Sequence, residues 1–145
     1  MKTTNHHPVI VDYGQTLEQM VGAGKYDWAN LDITQEHFPV SGNGKAERTL
    51  ELVHFNRVMT TDQALEELDK QDFRLATIEE LLAFGATYPE IQREFPIVEL
   101  GSAWRDQHGM RRVAYLHREG SRRTLHLYWI KSDWYGSYRF LAVRK

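Results

Sequence analysis

The sequence predicts an α+β fold, in which two or three short helices pack on a mainly antiparallel β-meander at the C-terminal end of the chain. Two observations predict this order. Two helix-start signals lie between residues 60 and 85, and after residue 103 short aromatic segments alternate with polar turns. The 145 residues, 41% of them hydrophobic, are expected to form one domain that is large enough to bury a core.

Residues 1–46 are predicted to form an N-terminal strand, a short helix and a long loop. The helix follows Thr16 and stops at Gly22 or Gly24, because glycine is typical of a helix end. The loop is rich in Asn, Asp, Pro and Gly, and its predicted buried anchors are Tyr26, Trp28, Ile33 and Phe38. Alternating apolar residues over 47–58 then predict a strand.

Two capping boxes predict the helices that follow. Thr60 with Gln63, and Thr77 with Glu80, have the spacing at which two side chains satisfy free backbone N–H groups at a helix start. Apolar residues follow on one face of each helix, and Gly85 is placed to end the second. Residues 89–95, which begin at one proline and are followed by another, predict a short third helical segment.

The C-terminal part is predicted to be a meander of antiparallel strands. Polar turns at 106–109 and 118–121 and a wider loop at 132–137 separate its apolar, alternating segments. The predicted strands run through Trp104 and over residues 110–117, 123–130 and 138–144.

Two segments of the chain resemble a known family. Residues 73–81, FRLATIEEL, resemble the helix start W-R-L-P-T-x-E-E-L of bacterial C-type lectin-like modules of the formylglycine-generating and variable-protein type. Residues 138–144, YRFLAVR, resemble the Y-x-R-x-V-R strand on which those modules end. Small uncharacterised bacterial proteins carry similar Trp-Arg-Asp and Asp-Trp pieces. The resemblance implies a lectin-like core over residues 47–145 with its ligand on the 104–139 loop surface. The family's calcium and sugar motifs are missing from the chain, so sugar binding is not implied.

The composition excludes several classes of protein. Cysteine is absent, which excludes disulfide scaffolds, thiolate zinc sites and cysteine nucleophiles. No apolar run reaches the length of a membrane span, so no membrane partner is expected. The start of the chain, MKTTNHHP, lacks the apolar region of a secretory signal, and a cytoplasmic location is expected. Because no metal-ligand spacing, nucleophile elbow or phosphate loop occurs, the sequence predicts no metal, no cofactor and no catalytic residue.

A net charge of -2 conceals a strong charge asymmetry along the chain. Residues 1–102 hold 8 basic and 17 acidic side chains, whereas residues 103–145 hold 10 basic and 3 acidic ones. Eight of those ten basic residues are arginines, and eight aromatic residues share the same stretch. Because arginine binds phosphate or carboxylate through two parallel hydrogen bonds and stacks on aromatic rings, this mixture predicts a binding surface.

We therefore predict a non-catalytic recognition module that binds a small anionic ligand or a protein partner. Arg105, Trp134 and Tyr135 are expected to be partly exposed in one concavity. The candidate ligand-binding residues are Arg105, Arg111, Arg112, Arg122, Arg123, Trp134 and Tyr135. Single-stranded nucleic acid is an alternative ligand. In a competing interpretation, the arginines pair with the acidic helices and the core is formed by Trp104, Leu127, Trp129, Phe140 and Val143.

A second alternative is a small hydrolase or nuclease. His117 and His126 lie on neighbouring predicted strands and would face each other across the turn between them, where they would serve as base and acid for RNA cleavage. The competing interpretation is that both are ordinary half-exposed strand residues.

Overall fold

The computed structural model describes residues 5–145, so the first four residues of the N-terminal segment lie outside the described part of the chain. Three α-helices and a mainly antiparallel sheet confirm the predicted α+β class. The helices are α1 (Leu17–Ala23), α2 (Thr61–Lys70), α3 (Ile78–Thr87) and a 3₁₀ helix (Ile91–Arg93). The strands are β1 (His7–Asp12), β2 (Trp28–Ala29), β3 (Lys45–Val53), β4 (Met59–Thr60), β5 (Phe73–Leu75), β6 (Ile97–Arg105), β7 (Arg111–Glu119), β8 (Arg122–Trp129), β9 (Asp133–Trp134) and β10 (Arg139–Arg144).

The helices begin where the local signals predict. Thr60 and Thr77 are the N-caps of α2 and α3, and each side chain accepts a hydrogen bond from the backbone N–H three residues on. Helix α1 follows Thr16 and is capped by Gly24. The third helical segment is only one 3₁₀ turn, and the buried amide of its Gln92 donates to the carbonyls of His117 and Thr124. None of the helices within residues 5–145 is long and apolar enough to cross a membrane.

The main sheet has the strand order β1-β3-β10-β6-β7-β8-β2, with β5 also paired to β10. Strands β6, β7 and β8 form the predicted antiparallel meander. Strand β10 does not continue it: β10 lies between β3 and β6, antiparallel to the first and parallel to the second. Its residues Phe140, Leu141 and Ala142 are all buried, and a strand that is apolar on both faces needs a central place in a sheet.

The predicted long loop, residues 25–46, contains strand β2, which pairs in parallel with β8 at the edge of the sheet. Ile33 and Phe38 are buried as predicted. Trp28 is 39% exposed, so the prediction of a buried anchor is wrong for this residue. The predicted strand at 47–58 is β3, which begins and ends earlier.

Helices cover both faces of the sheet. Leu116 and Leu125 pack with residues of α1 and α3, on what we call the α1/α3 face. Val113 and Phe140 pack with Ala64 and Leu68 of α2, on what we call the α2 face. Since side chains alternate along a strand, each residue of β7 and β8 is assigned to one face or the other by its position.

Candidate binding site

Four of the C-terminal arginines are exposed without an acidic partner. Arg105, Arg111, Arg118 and Arg122 are solvent-exposed, and no carboxylate of residues 5–145 lies within 4.0 Å of their guanidinium nitrogens. In α2, Glu66 and Glu67 both lie close to Lys70 of the same helix, and Asp69 pairs with Lys145. The interpretation that the acidic helices neutralise these arginines is therefore wrong for these four.

Two of these arginines line a cleft of about 800 Å³ beside the start of α2, which we call the basic cleft. Arg105 and Arg111 contribute the end of β6 and the beginning of β7, and Lys131 follows β8. Asp62 and Asp133 are the acidic side chains in the wall. The complete lining is Thr60, Thr61, Asp62, Leu65, Arg105, Gly109, Met110, Arg111, Ile130, Lys131, Ser132 and Asp133.

The turn between β6 and β7 fixes the two arginines of the basic cleft. Asp106 accepts hydrogen bonds from the backbone N–H groups of His108 and Met110, and from the Arg112 guanidinium at 3.0 Å. Desolvation alone would raise the pKa of the Asp106 carboxyl, but these donors outweigh it and hold the pKa below its usual range. The Asp106 carboxylate therefore stays charged at neutral pH and holds the turn together. In this turn, Arg105 and Arg111 are direct cross-strand partners.

A second, aromatic pocket of about 310 Å³ is lined by residues of β7 and β8. Trp129 in its wall is 47% exposed, and the Arg112 guanidinium lies 5.9 Å from the centre of the indole ring. The expectation that Trp129 belongs to the core is wrong, because β2 pairs with β8 only at Thr124 and Leu125 and leaves the end of β8 at an open edge. The lining of the aromatic pocket is Arg112, Tyr115, His126, Leu127, Tyr128 and Trp129.

The structure removes Arg123 from the candidate site. Arg123 is 5% exposed and lies on the α1/α3 face, where its guanidinium donates to the carbonyls of Gly24 and Gly85 and to the side chain of Gln92. The Tyr26 ring lies 4.8 Å from the guanidinium carbon. Both carbonyls belong to the C-terminal ends of helices, which carry partial negative charge, so they stabilise the buried cation. Arg123 holds α1 and α3 to the sheet and is not available to a ligand.

Trp134 is also misassigned by the sequence. Its side chain is fully buried between Tyr128 and Tyr138, and its indole Nε1 donates to Thr61 Oγ1 at 2.8 Å. Strands β4 and β9 pair Met59 with Trp134, and this pairing turns the indole into the core under α2. The neighbouring Tyr135 is 67% exposed but lines neither the basic cleft nor the aromatic pocket. The expected concavity of Arg105, Trp134 and Tyr135 does not form.

The remaining predicted arginines are spread along the meander. Arg105 and Arg111 meet in the basic cleft, and Arg112 lines the aromatic pocket. Arg122 lies at the opposite end of β8, next to the β7–β8 turn.

In comparisons with known proteins, no family model, no curated protein and no solved structure matches the chain.

His117 and His126 lie on the α2 face, as neighbours on adjacent strands. They are diagonal rather than direct partners: His126 is opposite Tyr115, and His117 is opposite Thr124. The two imidazole rings are 6.3 Å apart and nearly parallel, and both are nearly parallel to the ring of Tyr115. Desolvation lowers the pKa of both histidines, so both are neutral at pH 7. His126 Nδ1 accepts the N–H of Leu127 at 2.8 Å.

Sequence reasoning missed Lys131 and the start of α2 as parts of the site. The capping box marks Thr60 as a helix start, but only the pairing of β4 with β9 brings that start beside the β6–β7 turn. The hydroxyl of Thr61 also donates to the carbonyl of Ile130, which joins α2 to the end of β8. Within residues 5–145 no group of three or more His, Asp or Glu side chains is arranged to hold a metal ion.

Proposed function

We propose that this protein is a non-catalytic recognition module that binds an anionic ligand in the basic cleft. The observation that carries the proposal is the pair Arg105 and Arg111, direct cross-strand partners with like charge and no carboxylate within 4.0 Å among residues 5–145. Like charges directly opposite each other destabilise a sheet, so an anion held between them relieves a cost that the free protein carries.

The surroundings of the pair support an anion as the ligand. Arg105 Nη1 donates to the carbonyl of Gly109 at 2.7 Å, which fixes its guanidinium next to the turn. Lys131 lines the same cleft and adds a third positive charge, against the two negative charges of Asp62 and Asp133. The cleft also contains the first residues of α2, where the helix dipole favours negative charge. Phosphate and carboxylate groups match the hydrogen-bonding fork of arginine, and they are the ligand groups that we propose.

A titration with inorganic pyrophosphate tests this function. Two-dimensional ¹H–¹⁵N spectra of the labelled protein are expected to shift at residues 60–62, 109–111 and 130–133. Arg111→Gln removes a charge-assisted hydrogen bond and is expected to weaken binding by about tenfold. Arg122→Gln is the control, because Arg122 is an exposed arginine at the far end of the same two strands, directly opposite Glu119 rather than another arginine. Absence of shifts, or an equal loss in the control, would contradict a site in the basic cleft.

A C-type lectin-like module is the finer fold assignment that goes with this proposal. It is supported by the relation between the two segments that carry the resemblance. Residues 73–75 of FRLATIEEL form β5, and β5 pairs antiparallel with β10, which contains most of YRFLAVR. The two resembling segments are therefore hydrogen-bonded neighbours. A cytoplasmic location, expected because residues 1–8 lack the apolar region of a secretory signal, stays a prediction.

The second candidate is a histidine-dependent nuclease, and the observation in its favour is the placement of His117 and His126 on one face. A base and an acid need opposite protonation states, whereas burial lowers the pKa of both rings and favours the neutral form of each. This counts against the candidate. The test is an assay for ribonuclease activity with the wild-type protein, the His117→Ala variant and the His126→Ala variant. Cleavage that depends on both histidines would replace the recognition proposal.

A further inference from the structure

The basic cleft contains exposed charges of both signs that do not pair with each other. Its cations are Arg105, Arg111 and Lys131, and its carboxylates are Asp62 and Asp133. All five side chains are solvent-exposed, and within residues 5–145 no carboxylate lies within 4.0 Å of the three cations. The cleft therefore keeps opposite charges apart instead of neutralising them inside the protein.

The two kinds of charge enter the cleft from different elements. Arg105 and Arg111 are direct cross-strand partners at the end of β6 and the beginning of β7. Asp62 lies in the first turn of α2, and Asp133 is in β9, directly opposite Thr60, the N-cap of that helix. The main sheet therefore supplies the positive side of the cleft, and the start of α2 with β9 supplies the negative side.

The segment 130–133 connects the two sides. Ile130 donates its N–H to the carbonyl of Arg111 at 2.9 Å, and the carbonyl of Ile130 accepts the hydroxyl of Thr61. Three residues later, Asp133 pairs with Thr60 through the β4–β9 ladder. Because the segment is hydrogen-bonded at both ends, the positive and the negative side are held at a fixed separation.

The cleft also has room and apolar surface for more than a single small anion. Leu65, Met110 and Ile130 contribute apolar side chains to the lining, and Met110 is 42% exposed. The volume of about 800 Å³ is in the upper part of the range of small-molecule sites. A ligand that fills the cleft therefore has an uncharged, partly apolar middle as well as charged groups.

We propose that the ligand of the basic cleft is a short peptide with both termini free, whose carboxylate binds the arginine pair and whose ammonium group binds the two aspartates. This inference rests on the proposed function and names the ligand class. An extended peptide separates its terminal charges by about 3.3–3.6 Å per residue, so two or three residues exceed the 4.0 Å beyond which the cleft keeps its own opposite charges. Both termini form charge-assisted hydrogen bonds with such partners.

A titration of the ¹⁵N-labelled protein with trialanine measures the binding. N-acetyl-trialanine keeps only the terminal carboxylate and trialanine amide keeps only the ammonium group, so these peptides are matched control ligands. Each is expected to bind about tenfold more weakly than trialanine, because each lacks the charge-assisted hydrogen bonds of one end. Free alanine is expected to bind about tenfold more weakly as well, since its two charges are too close together to meet both sides of the cleft.

Asp62→Asn distinguishes the two charged groups of the ligand. The variant is expected to bind trialanine about tenfold more weakly, because the ammonium group loses a charged acceptor. Its affinity for pyrophosphate is expected to rise or stay unchanged, because a negative charge has been removed from the cleft. The matched control is Asp72→Asn, at an exposed aspartate beyond the other end of α2. This control is expected to stay within about twofold of the wild type for both ligands.

The outcomes separate this inference from the proposed function. If pyrophosphate binding depends on Arg111 but N-acetyl-trialanine binds as tightly as trialanine, the anion site stands and the peptide inference is wrong. Equal weakening of both ligands by Asp62→Asn would also overturn it, because the aspartate would then support the shape of the cleft instead of binding an ammonium group. Free alanine that binds as tightly as trialanine would replace the peptide by a single amino acid. If neither pyrophosphate nor trialanine shifts the residues of the basic cleft, both proposals are wrong.

Discussion

Arg123 and Gln92 form a buried hydrogen bond in which the guanidinium Nη2 donates to the side-chain oxygen at 2.9 Å. The amide nitrogen of Gln92 donates in turn to the carbonyls of His117 and Thr124. The 3₁₀ turn that carries Gln92 is thereby joined to β7, β8 and, through Arg123, to the ends of α1 and α3. No carboxylate among residues 5–145 pairs with the Arg123 guanidinium. Its positive charge is therefore stabilised by neutral oxygens and by the Tyr26 ring, and loss of any of these contacts is costly.

We expect Arg123→Lys to lower the free energy of unfolding by about 3 kcal/mol. A lysine has one nitrogen and cannot reach two helix ends and Gln92 together, so buried carbonyls are left without donors. Urea denaturation of the variant measures the loss. Arg122→Lys, at the exposed neighbouring position, is expected to change the stability by less than about 0.5 kcal/mol. Equal stability of the two variants would show that the buried network does not hold the helices.

Trp134 and Thr61 provide the second prediction. Trp134 Nε1 donates to Thr61 Oγ1, and the same hydroxyl donates to the carbonyl of Ile130, so one threonine satisfies two buried groups. Trp134→Phe is expected to cost roughly 1–3 kcal/mol through the lost hydrogen bond and the unfilled volume. In a double-mutant cycle with Thr61→Val, we expect a coupling of about 1 kcal/mol. A coupling near zero would contradict the hydrogen bond, and Tyr135→Phe is the exposed control.

The parts of the fold that sequence predicts are those fixed by nearby residues. Each capping box lies within four residues of chain, and the alternation of β7 and β8 is visible in one strand at a time, so α2, α3, β7 and β8 are predicted correctly. The position of β10 depends on β3, some ninety residues away, and no local pattern encodes that pairing.

The candidate site shows the same limit at the level of single side chains. Arg122 and Arg123 are neighbours of identical chemistry, and alternation predicts only that they point to opposite faces. Arg123 is buried because the ends of α1 and α3 pack on its face of the sheet. The residues next to Arg123 do not determine where those helices pack. Trp129 and Trp134 differ for a similar reason: β9 pairs with β4 under α2, while the end of β8 is left uncovered by the two-residue strand β2.

Gly101 and Gly22 form a matched pair for a third prediction. A Cβ on Gly101 would lie 2.4 Å from the carbonyl oxygen of Ala76, which accepts the Gly101 N–H at 3.0 Å. Because that neighbour is backbone, Gly101→Ala is expected to cost roughly 1–3 kcal/mol. Gly22 lies in α1, where an added Cβ would have no atom of residues 5–145 within 4 Å beyond its chain neighbours and its own helix backbone. Gly22→Ala is therefore expected to stabilise the protein by about 0.5–1 kcal/mol. Thermal unfolding measures the stability of the two variants. Destabilisation by both would contradict the expectation that a Cβ fits at Gly22 but not at Gly101.

Glu99 is expected to make the stability depend on pH. It is fully buried in β6, where Oε1 accepts the N–H of Ser102 at 2.8 Å and Oε2 has no hydrogen-bond partner among residues 5–145. Desolvation raises the pKa of this carboxyl well above its ordinary value of 4.5, against the backbone donors that lower it. The folded protein therefore binds a proton that the unfolded chain has already released at pH values above 4.5, and stability falls as the pH rises through that window.

Glu99→Gln tests this dependence, because glutamine has the shape of the protonated carboxyl and keeps an oxygen for the Ser102 N–H. Well below pH 4.5 the glutamate is protonated in both the folded and the unfolded protein, so the variant and the wild type are expected to melt at similar temperatures. At pH 8 the variant is expected to melt higher, since it avoids both the burial of a charge and the uptake of a proton.

The control is Glu80→Gln. Glu80 is a buried carboxylate that accepts a hydrogen bond from Arg74 at 2.6 Å and lies 3.3 Å from Arg48. Loss of that pairing is expected to lower the melting temperature at pH 8. A variant at position 99 that melts below the wild type at pH 8 would show that the buried carboxyl is held as an anion.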